Sequence, residues 1–321
     1  RLAKLEEIKI KGELKELEKE GEALKQTLGS KQRLKTLVRK ELQADAKEFG
    51  DKRKSPLVER EEAQAIDETR LIPTEDVSVI LSNKGWVRAA KGHDIDPNSL
   101  NYRAEDSFKC LATGRSNQNT VFIDSTGRCY TLPTHSLPSA RSHGEPVSSK
   151  LNPPDGATFE GVMLGDGSEL YLLASDAGYG FIIKLEDMVT KNKNGKAIVN
   201  LPKESKILPP VVVKDYETDL IAAVSTIGRL LVFQLSELPL LGKGKGLKIL
   251  QIPPAKLKVR EEYVVSMTVL PVRSTLAIKS GQRHLKLKPA DIKHYMGVRG
   301  RRGNMLPRGF RNITWMGVIE K

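Results

Sequence analysis

Four short segments of the sequence place lysine or arginine close to glycine, a combination suited to binding phosphate groups. A glycine beside a cation lets backbone N–H groups and the charged side chain approach a phosphate without obstruction by a Cβ atom. One Gly–Lys pair carries little information because such pairs are common in turns, but four segments in a regular series indicate a repeated anion-binding function. We name them basic loops 1 to 4: residues 140–144, 191–196, 242–246 and 299–303.

The candidate contacts to an anionic ligand are the cations of these loops and of the segments around them. Four arginines follow the glycines of predicted hairpin turns, and ordinary outward-facing strand charge is the alternative interpretation for them. For the loops, the alternative is that they are solvated connections. The predicted set is Arg88, Lys91, Arg128, Arg141, Lys191, Lys193, Lys196, Arg229, Lys243, Lys245, Lys248, Arg283, Lys286, Lys288, Arg299, Arg301, Arg302 and Arg308.

Residue types for other chemistry are scattered or absent. Cys110 and Cys129 form no CxxC pattern and the five histidines have no metal-ligand spacing, which argues against a zinc site. Residues 242–248 lack the GxxxxGK[ST] pattern and no GxSxG motif occurs, which argues against P-loop nucleotide binding and hydrolase chemistry. The few aromatic residues form no array of the kind that stacks single-stranded DNA or RNA bases.

The net charge of +13 is confined to one part of the chain. Residues 1–76 hold 18 basic and 18 acidic residues, whereas residues 77–321 hold 35 basic and 22 acidic residues. A neutral segment therefore precedes a basic body, which predicts an anionic partner such as duplex DNA for that body. A basic surface that only aids solubility is the alternative. No apolar run is long enough for a membrane span.

Five polar turns that end in glycine must position the basic loops. The turn glycines, Gly85, Gly127, Gly178, Gly228 and Gly281, stand 42, 51, 50 and 53 residues apart and are flanked by apolar strands. Hairpins repeated at this interval are typical of a β-propeller, because one small sheet cannot bury both of its faces alone. Each basic loop follows one of the last four turn glycines, so we expect the four loops to share one edge of a five-bladed domain.

The first part of the chain has a helical pattern. Ile10, Leu14, Leu17, Leu24 and Leu28 follow heptad spacing, and a break at residues 29–30 precedes a second amphipathic stretch. We therefore predict a helical arm over residues 1–50, a linker over 51–76 and a five-bladed domain over 77–321. Because the sequence begins with arginine inside a helical pattern, we expect it to be a fragment of a longer chain.

Several strings of residues resemble the A subunit of bacterial DNA topoisomerase IV. They are residues 40–46 (KELQADA), 84–88 (KGWVR), 91–96 (KGHDID), 174–181 (ASDAGYGF) and 242–246 (GKGKG). The resemblance implies the C-terminal part of that protein: the end of a coiled-coil arm, followed by a β-pinwheel, a mainly β propeller variant whose blades exchange strands.

The resemblance also implies partners and cofactors. The family assembles two A and two B subunits into a type IIA topoisomerase that passes one duplex through another, with ATP and Mg²⁺ bound on the B subunits. The active-site tyrosine of the family follows an arginine, and no Arg–Tyr pair occurs here, so we expect a fragment without catalytic residues or a cofactor of its own. The expected location is cytoplasmic and nucleoid-associated, and a chromosome-organising protein stays open as a further partner.

Two alternatives remain at this point. A gyrase A C-terminal domain would share the fold, but the Gln-Arg-Arg-Gly-Gly-Lys-Gly box of that family is absent, and residues 299–303 match it only in part. We therefore expect weaker DNA bending than in gyrase and no negative supercoiling. The other alternative is a propeller that binds an acidic protein partner through the same basic edge.

Overall fold

A computed structural model of the chain describes residues 2–51, 55 and 73–319, which belong to two units, Arg1–Ala65 and Ile66–Lys321. The first unit is helical and the second is built mainly from β-strands. The predicted linker lies largely outside the described residues, so its bounds stay a prediction. Among the described residues, no helix has both the length and the apolar character needed to cross a membrane.

The helical unit contains α1 (Leu2–Leu28) and α2 (Lys31–Phe49), separated by the predicted break. The Gly29 N–H donates to the Lys25 carbonyl, and the Ser30 side chain accepts a hydrogen bond from the Arg33 N–H, which caps α2. The leucines of the heptad seam are exposed, for example Leu17 at 65%. A seam of this kind becomes stable by packing against a further helix, as in a coiled-coil arm.

The β unit contains five antiparallel sheets, which are the five blades predicted from the turn glycines. In order across each sheet, blade 1 is β3 (Phe108–Arg115), β1 (Asp76–Ser82), β2 (Trp86–Lys91) and β6 (Glu145–Pro146), and blade 2 is β7 (Phe159–Met163), β4 (Asn119–Asp124), β5 (Arg128–Pro133) and β10 (Lys196–Ala197). Blade 3 is β11 (Val211–Val213), β8 (Leu170–Ala174), β9 (Tyr179–Lys184) and β14 (Leu247–Lys248). Blade 4 is β15 (Val264–Leu270), β12 (Leu220–Ser225), β13 (Arg229–Gln234) and β18 (Asn304–Met305), and blade 5 is β19 (Trp315–Ile319), β16 (Thr275–Ser280) and β17 (Arg283–Leu287).

Short helices connect some of the strands. They are α3 (Leu185–Met188), α4 (Pro254–Lys258) and α5 (Pro289–Ile292). Helix α3 begins directly after β9, and α4 and α5 each begin at a proline. In chain order, α4 lies between the fourth strand of blade 3 and the first strand of blade 4.

Blades 1 to 4 each receive their fourth strand from the connection that follows the hairpin of the next blade. β6 follows β5 of blade 2 but pairs with β2 of blade 1, with Trp86 opposite Pro146 and Val87 opposite Glu145. The same exchange places β10 on blade 2, β14 on blade 3 and β18 on blade 4. Within the described residues, blade 5 has three strands and receives none. The pinwheel fold implied by the resemblance is confirmed.

The exchanged segments explain the glycines that end the hairpin turns of blades 2 and 3. Gly127 has a φ of 82°, and a Cβ atom there would lie 2.4 Å from the carbonyl oxygen of Val199, which follows β10. Gly178 has a φ of 83°, and its Cβ would lie 2.1 Å from the carbonyl oxygen of Leu250, which follows β14. Glycine is therefore needed both for the left-handed turn and for the close approach of the incoming segment.

Apolar side chains fill the spaces between neighbouring blades in four clusters. One cluster joins blades 1 and 2, and the others join blades 2 and 3, blades 3 and 4, and blades 4 and 5. In the first, the buried rings of Phe122 and Tyr130 meet Phe159 edge-on, with centroids 6.1 and 5.6 Å from it. Over the described residues no such cluster joins blade 5 to blade 1.

Candidate nucleic-acid interface

The four basic loops occupy equivalent places in the fold. Each leads directly into an exchanged strand: loop 1 into β6, loop 2 into β10, loop 3 into β14 and loop 4 into β18. Each loop therefore crosses from the blade that precedes it in the chain to the edge of the blade that receives the strand. Such equivalence is what a shared edge of the domain requires, and the shared edge itself stays a prediction.

Hydrogen bonds connect loops 2, 3 and 4 each to the segment that follows the preceding exchanged strand. The Asn152 N–H donates to the carbonyl of Lys193 in loop 2 (2.9 Å). The Gly244 N–H of loop 3 donates to the Ile198 carbonyl (2.8 Å), and the Gly300 N–H of loop 4 donates to the Ile249 carbonyl (2.8 Å). The loops are thus linked in series through these segments, and we call the series the basic row.

The last glycine of each loop packs against protein, which corrects the role predicted for it. A Cβ atom at Gly144 would lie 2.3 Å from the Val87 carbonyl oxygen, and one at Gly246 would lie 2.1 Å from the Gly180 carbonyl oxygen. These glycines admit the receiving strand and do not clear space for a phosphate. By contrast, a Cβ at Gly242 would meet nothing within 4 Å, so the start of loop 3 is open.

Two of the strand arginines hold the basic loops in place. The Arg128 Nε donates to the Asn194 carbonyl (3.1 Å) and its Nη2 donates to the Gly195 carbonyl (3.2 Å), both in loop 2. The Arg229 Nη1 donates to the Gly303 carbonyl of loop 4 (3.1 Å). Because carbonyl acceptors leave the guanidinium charge uncompensated, these half-buried arginines still add positive potential behind the row.

The prediction that Arg88 is an outward contact is wrong, because the structure places this residue in the interior. Its side chain is 4% exposed, and its Nη1 donates to the carbonyls of Asn101 (2.9 Å) and Ser142 (3.1 Å). The guanidinium also lies over the Tyr102 ring, 4.6 Å from its centroid. The sequence could not reveal this because an arginine in a strand is usually exposed. Arg88 therefore positions loop 1 and is removed from the set of surface contacts.

Arg302 also departs from its predicted role as a free surface cation. Its Nη2 lies 2.9 Å from Oε1 of Glu262, a carboxylate that is 0% exposed. Most of its charge is therefore compensated inside the domain. Arg299 in the same loop donates from Nη1 to the Lys248 carbonyl (3.0 Å), which connects loop 4 to β14, and it has no acidic partner among the described residues.

Most of the other predicted cations are exposed along the row or beyond it in blade 5. In loop 2, the Lys196 Nζ donates to the Asp187 carbonyl (2.7 Å). Lys91 differs from the others because its charge is compensated by an ion pair with Glu75 (2.8 Å), which precedes β1. The exposed residues are Lys91, Arg141, Lys191, Lys193, Lys196, Lys243, Lys245, Lys248, Arg283, Lys286, Lys288, Arg301 and Arg308.

Sequence reasoning missed three residues near loop 3. Tyr179, Lys203 and Lys258 line a cavity together with Lys245 and Lys248. Tyr179 directly follows a turn glycine, at the position held by arginine in blades 2 and 4, and this break in the repeat was the available signal. The lysines come from segments far apart in the chain, so no short motif could join them.

In the described part of the chain, residue types suited to metal or thiol chemistry are dispersed or largely buried. This part holds no cluster of three or more His, Cys, Asp or Glu residues that could bind a metal ion. Burial raises the pKa of the Cys110 thiol to about 11 and raises the pKa of the fully buried Cys129 thiol as well. Neither thiol is therefore poised to act as a nucleophile near neutral pH.

The exchanged strands and the basic row place the β unit in the class of gyrase-type C-terminal β-propellers. Residues 169–214 and 219–271 match a family model described as DNA gyrase C-terminal domain, beta-propeller. A solved structure of a DNA gyrase A C-terminal domain has a TM-score of 0.56 and 14% identity over 77% of this chain and 83% of that one. At that identity the likeness concerns the fold alone.

Closer relatives identify the family, and the chain belongs to the family of DNA topoisomerase IV A subunits. It is 57% identical over 312 residues to the DNA topoisomerase 4 A subunit of Pseudomonas aeruginosa. The aligned region covers 97% of this chain and 41% of the relative. The structure of the E. coli ParC C-terminal domain has 45% identity and a TM-score of 0.69, and covers 77% of this chain and 100% of that one. The chain spans about two fifths of the length of the curated relatives it matches.

Proposed function

We propose that the chain binds the backbone of duplex DNA along the basic row. The observation that carries this proposal is the row itself: four loops at equivalent places, connected by hydrogen bonds and containing no acidic residue. Phosphates are contacted by lysine, arginine and backbone N–H groups without regard to sequence, and such contacts orient a duplex. We therefore expect the row to recognise the charge and shape of a duplex and not its base sequence.

The row also suggests how the DNA is held. Contact with several loops in succession requires the duplex to follow the edge of the blades, and smooth bending of 20–30 base pairs costs on the order of 1–6 kcal/mol. Arg302, whose charge is compensated by Glu262, does little to offset that cost, whereas Arg141, Lys193, Lys243 and Arg301 each offer an exposed cation. We expect modest bending that orients a segment of DNA.

Within the whole enzyme, this domain would capture and orient the duplex that is passed through the break. The proposal includes an assembly of two A and two B subunits that decatenates and relaxes DNA with ATP and Mg²⁺ bound on the B subunits. We also propose that the residues that break the DNA strands lie outside this chain, and that the enzyme is cytoplasmic and nucleoid-associated. The support is membership of the family of topoisomerase IV A subunits and the geometry of the row.

A salt titration of duplex binding tests the proposal. The double variant Lys191→Gln/Lys193→Gln removes two exposed cations from loop 2. Because each neutralised phosphate adds about −0.9 to the slope of log K against log salt, the variant should bind more weakly with a slope shallower by up to about 2. The measurement is fluorescence anisotropy with two duplexes of unrelated sequence at several salt concentrations.

The matched control is Lys9→Gln/Lys15→Gln, which removes the same charge from exposed positions of α1. Equal losses in the two variants would contradict the proposal, because net charge alone would then explain binding.

An acidic protein partner is the remaining alternative function, and weak duplex binding with little salt dependence would favour it. A supercoiling assay of the whole enzyme distinguishes topoisomerase IV from gyrase, because only gyrase introduces negative supercoils. We expect no negative supercoiling.

A further inference from the structure

A cavity of about 330 Å³ lies in the β unit beside basic loop 3. Its apolar lining comes from the buried side chains of Ala177, Ile252 and Leu257, together with Pro202 and Pro254. Tyr179 of β9 adds an aromatic side chain that is partly exposed to the cavity. A cavity of this size, lined by apolar and aromatic groups with a few charges, is typical of a small-molecule site.

Four lysines, and one acid, Glu204, complete the lining. The lysines are Lys203, Lys245, Lys248 and Lys258, and none of them forms an ion pair with a described residue. They come from three separate segments: the turn after β10, loop 3 with β14, and α4. An excess of unpaired positive charge around an apolar cavity favours a ligand that joins an anionic group to a flat apolar body.

Tyr179 gives this blade a feature that its neighbours lack. In blades 2 and 4 the residue after the turn glycine is Arg128 or Arg229, and its guanidinium is bound to loop carbonyls. In blade 3 the tyrosine ring lies under the ammonium groups of Lys245 and Lys248, which are 3.9 and 5.6 Å from its centroid. An aromatic ring and two exposed lysines therefore take the place of an arginine bound to loop carbonyls.

We propose that this cavity binds a nucleotide, with the base on the Tyr179 ring and the phosphate between Lys245 and Lys248. An exposed contact between an ammonium group and a ring is weak, so Lys245 can leave the ring to pair with phosphate and uncover the surface on which the base stacks. The site uses side chains and no P-loop, in agreement with the missing P-loop motif. It does not depend on duplex binding. A free nucleotide and an unpaired nucleotide of a DNA strand share this chemistry.

Competition with a fluorescent mant-labelled ADP tests the site in the 321-residue chain without DNA or Mg²⁺. ADP should displace the probe at least about tenfold more effectively than pyrophosphate or adenosine, because only ADP carries both the base and the phosphates. Displacement by pyrophosphate as good as by ADP would overturn the proposal, since the cavity would then be a simple anion site. So would the lack of saturable binding below about 1 mM.

Variants distinguish stacking from a structural role of the tyrosine. Tyr179→Leu should weaken ADP binding by roughly five- to tenfold, because base stacking is lost, whereas Tyr179→Phe should keep it. Lys245→Gln/Lys248→Gln should weaken ADP binding, and Lys9→Gln/Lys15→Gln is the matched control because it removes the same charge from exposed positions of α1 that do not line the cavity. Equal binding by Tyr179→Leu and the wild type would overturn the proposal.

A final competition distinguishes the two sources of the nucleotide. A short duplex with one unpaired nucleotide should displace the probe about tenfold better than a fully paired duplex if the ligand belongs to DNA. Equal displacement by the two duplexes assigns the site to a free nucleotide. If ADP does not bind while duplex binding by the basic row is intact, the nucleotide site alone is wrong and the proposed function stands.

Discussion

Arg302 and Arg301 are neighbours in loop 4 with opposite environments. Arg302 compensates the buried carboxylate of Glu262, whereas Arg301 is exposed and pairs with no described acid. Arg302→Gln should therefore lower the free energy of unfolding by about 1–3 kcal/mol, because it leaves a buried carboxylate without its cation. Arg301→Gln should change the free energy of unfolding by less than about 0.5 kcal/mol and should weaken duplex binding.

Urea denaturation followed by tryptophan fluorescence measures the difference between these variants. Equal stability of the two would show that the Arg302–Glu262 pair contributes nothing. The double variant Arg302→Gln/Glu262→Gln is the control, and it should recover part of the lost stability because no buried charge then lacks a partner.

The cysteines give a further expectation at the scale of the residue. Because burial raises the pKa of Cys110 to about 11, its thiolate is scarce at neutral pH, and its fraction grows only as the pH approaches that value. Reaction with a thiol reagent at about pH 8 should therefore be slow in the folded chain and fast in urea. Rapid reaction of both thiols without denaturant would contradict the partial burial of Cys110 and the full burial of Cys129.

At the scale of the element, the exchanged strand depends on glycine at the hairpin turn. Gly127→Ala should destabilise the β unit by about 2–4 kcal/mol, because a left-handed φ and a Cβ only 2.4 Å from the Val199 carbonyl oxygen act together. Gly281→Ala is the matched control, since Gly281 also has a positive φ but its Cβ would meet nothing within 4 Å. We expect it to cost about 1–2 kcal/mol. Thermal unfolding monitored by circular dichroism compares the two, and equal costs would contradict the close approach.

The same elements show what the sequence could predict. The turn glycines recur at a regular interval, so five hairpins and the series of basic loops were accessible from spacing alone. The exchange was not, because two-residue strands such as β6 and β10 have no periodicity. The burial of Arg88 and the pairing of Arg302 with Glu262 were also hidden, since both depend on segments brought together from distant parts of the chain.

At the scale of the whole β unit, the exchanged strands and the proposed DNA contacts use the same connections. A loop that must cross to the neighbouring blade is held by backbone hydrogen bonds at both ends, so its cations are presented at a fixed place and lose little entropy on binding. Blade 5, with Arg283, Lys286, Lys288 and Arg308 exposed, adds further positive charge beyond loop 4.

The most direct test of the basic row removes one exposed cation from each loop in turn. The four variants Arg141→Gln, Lys193→Gln, Lys243→Gln and Arg301→Gln are compared in duplex binding at several salt concentrations. Each should weaken binding by a similar factor, and each should reduce the salt slope by about one, because each loop contacts its own phosphate. Unchanged affinity in all four variants, or a loss confined to a single loop, would contradict a continuous DNA-binding row.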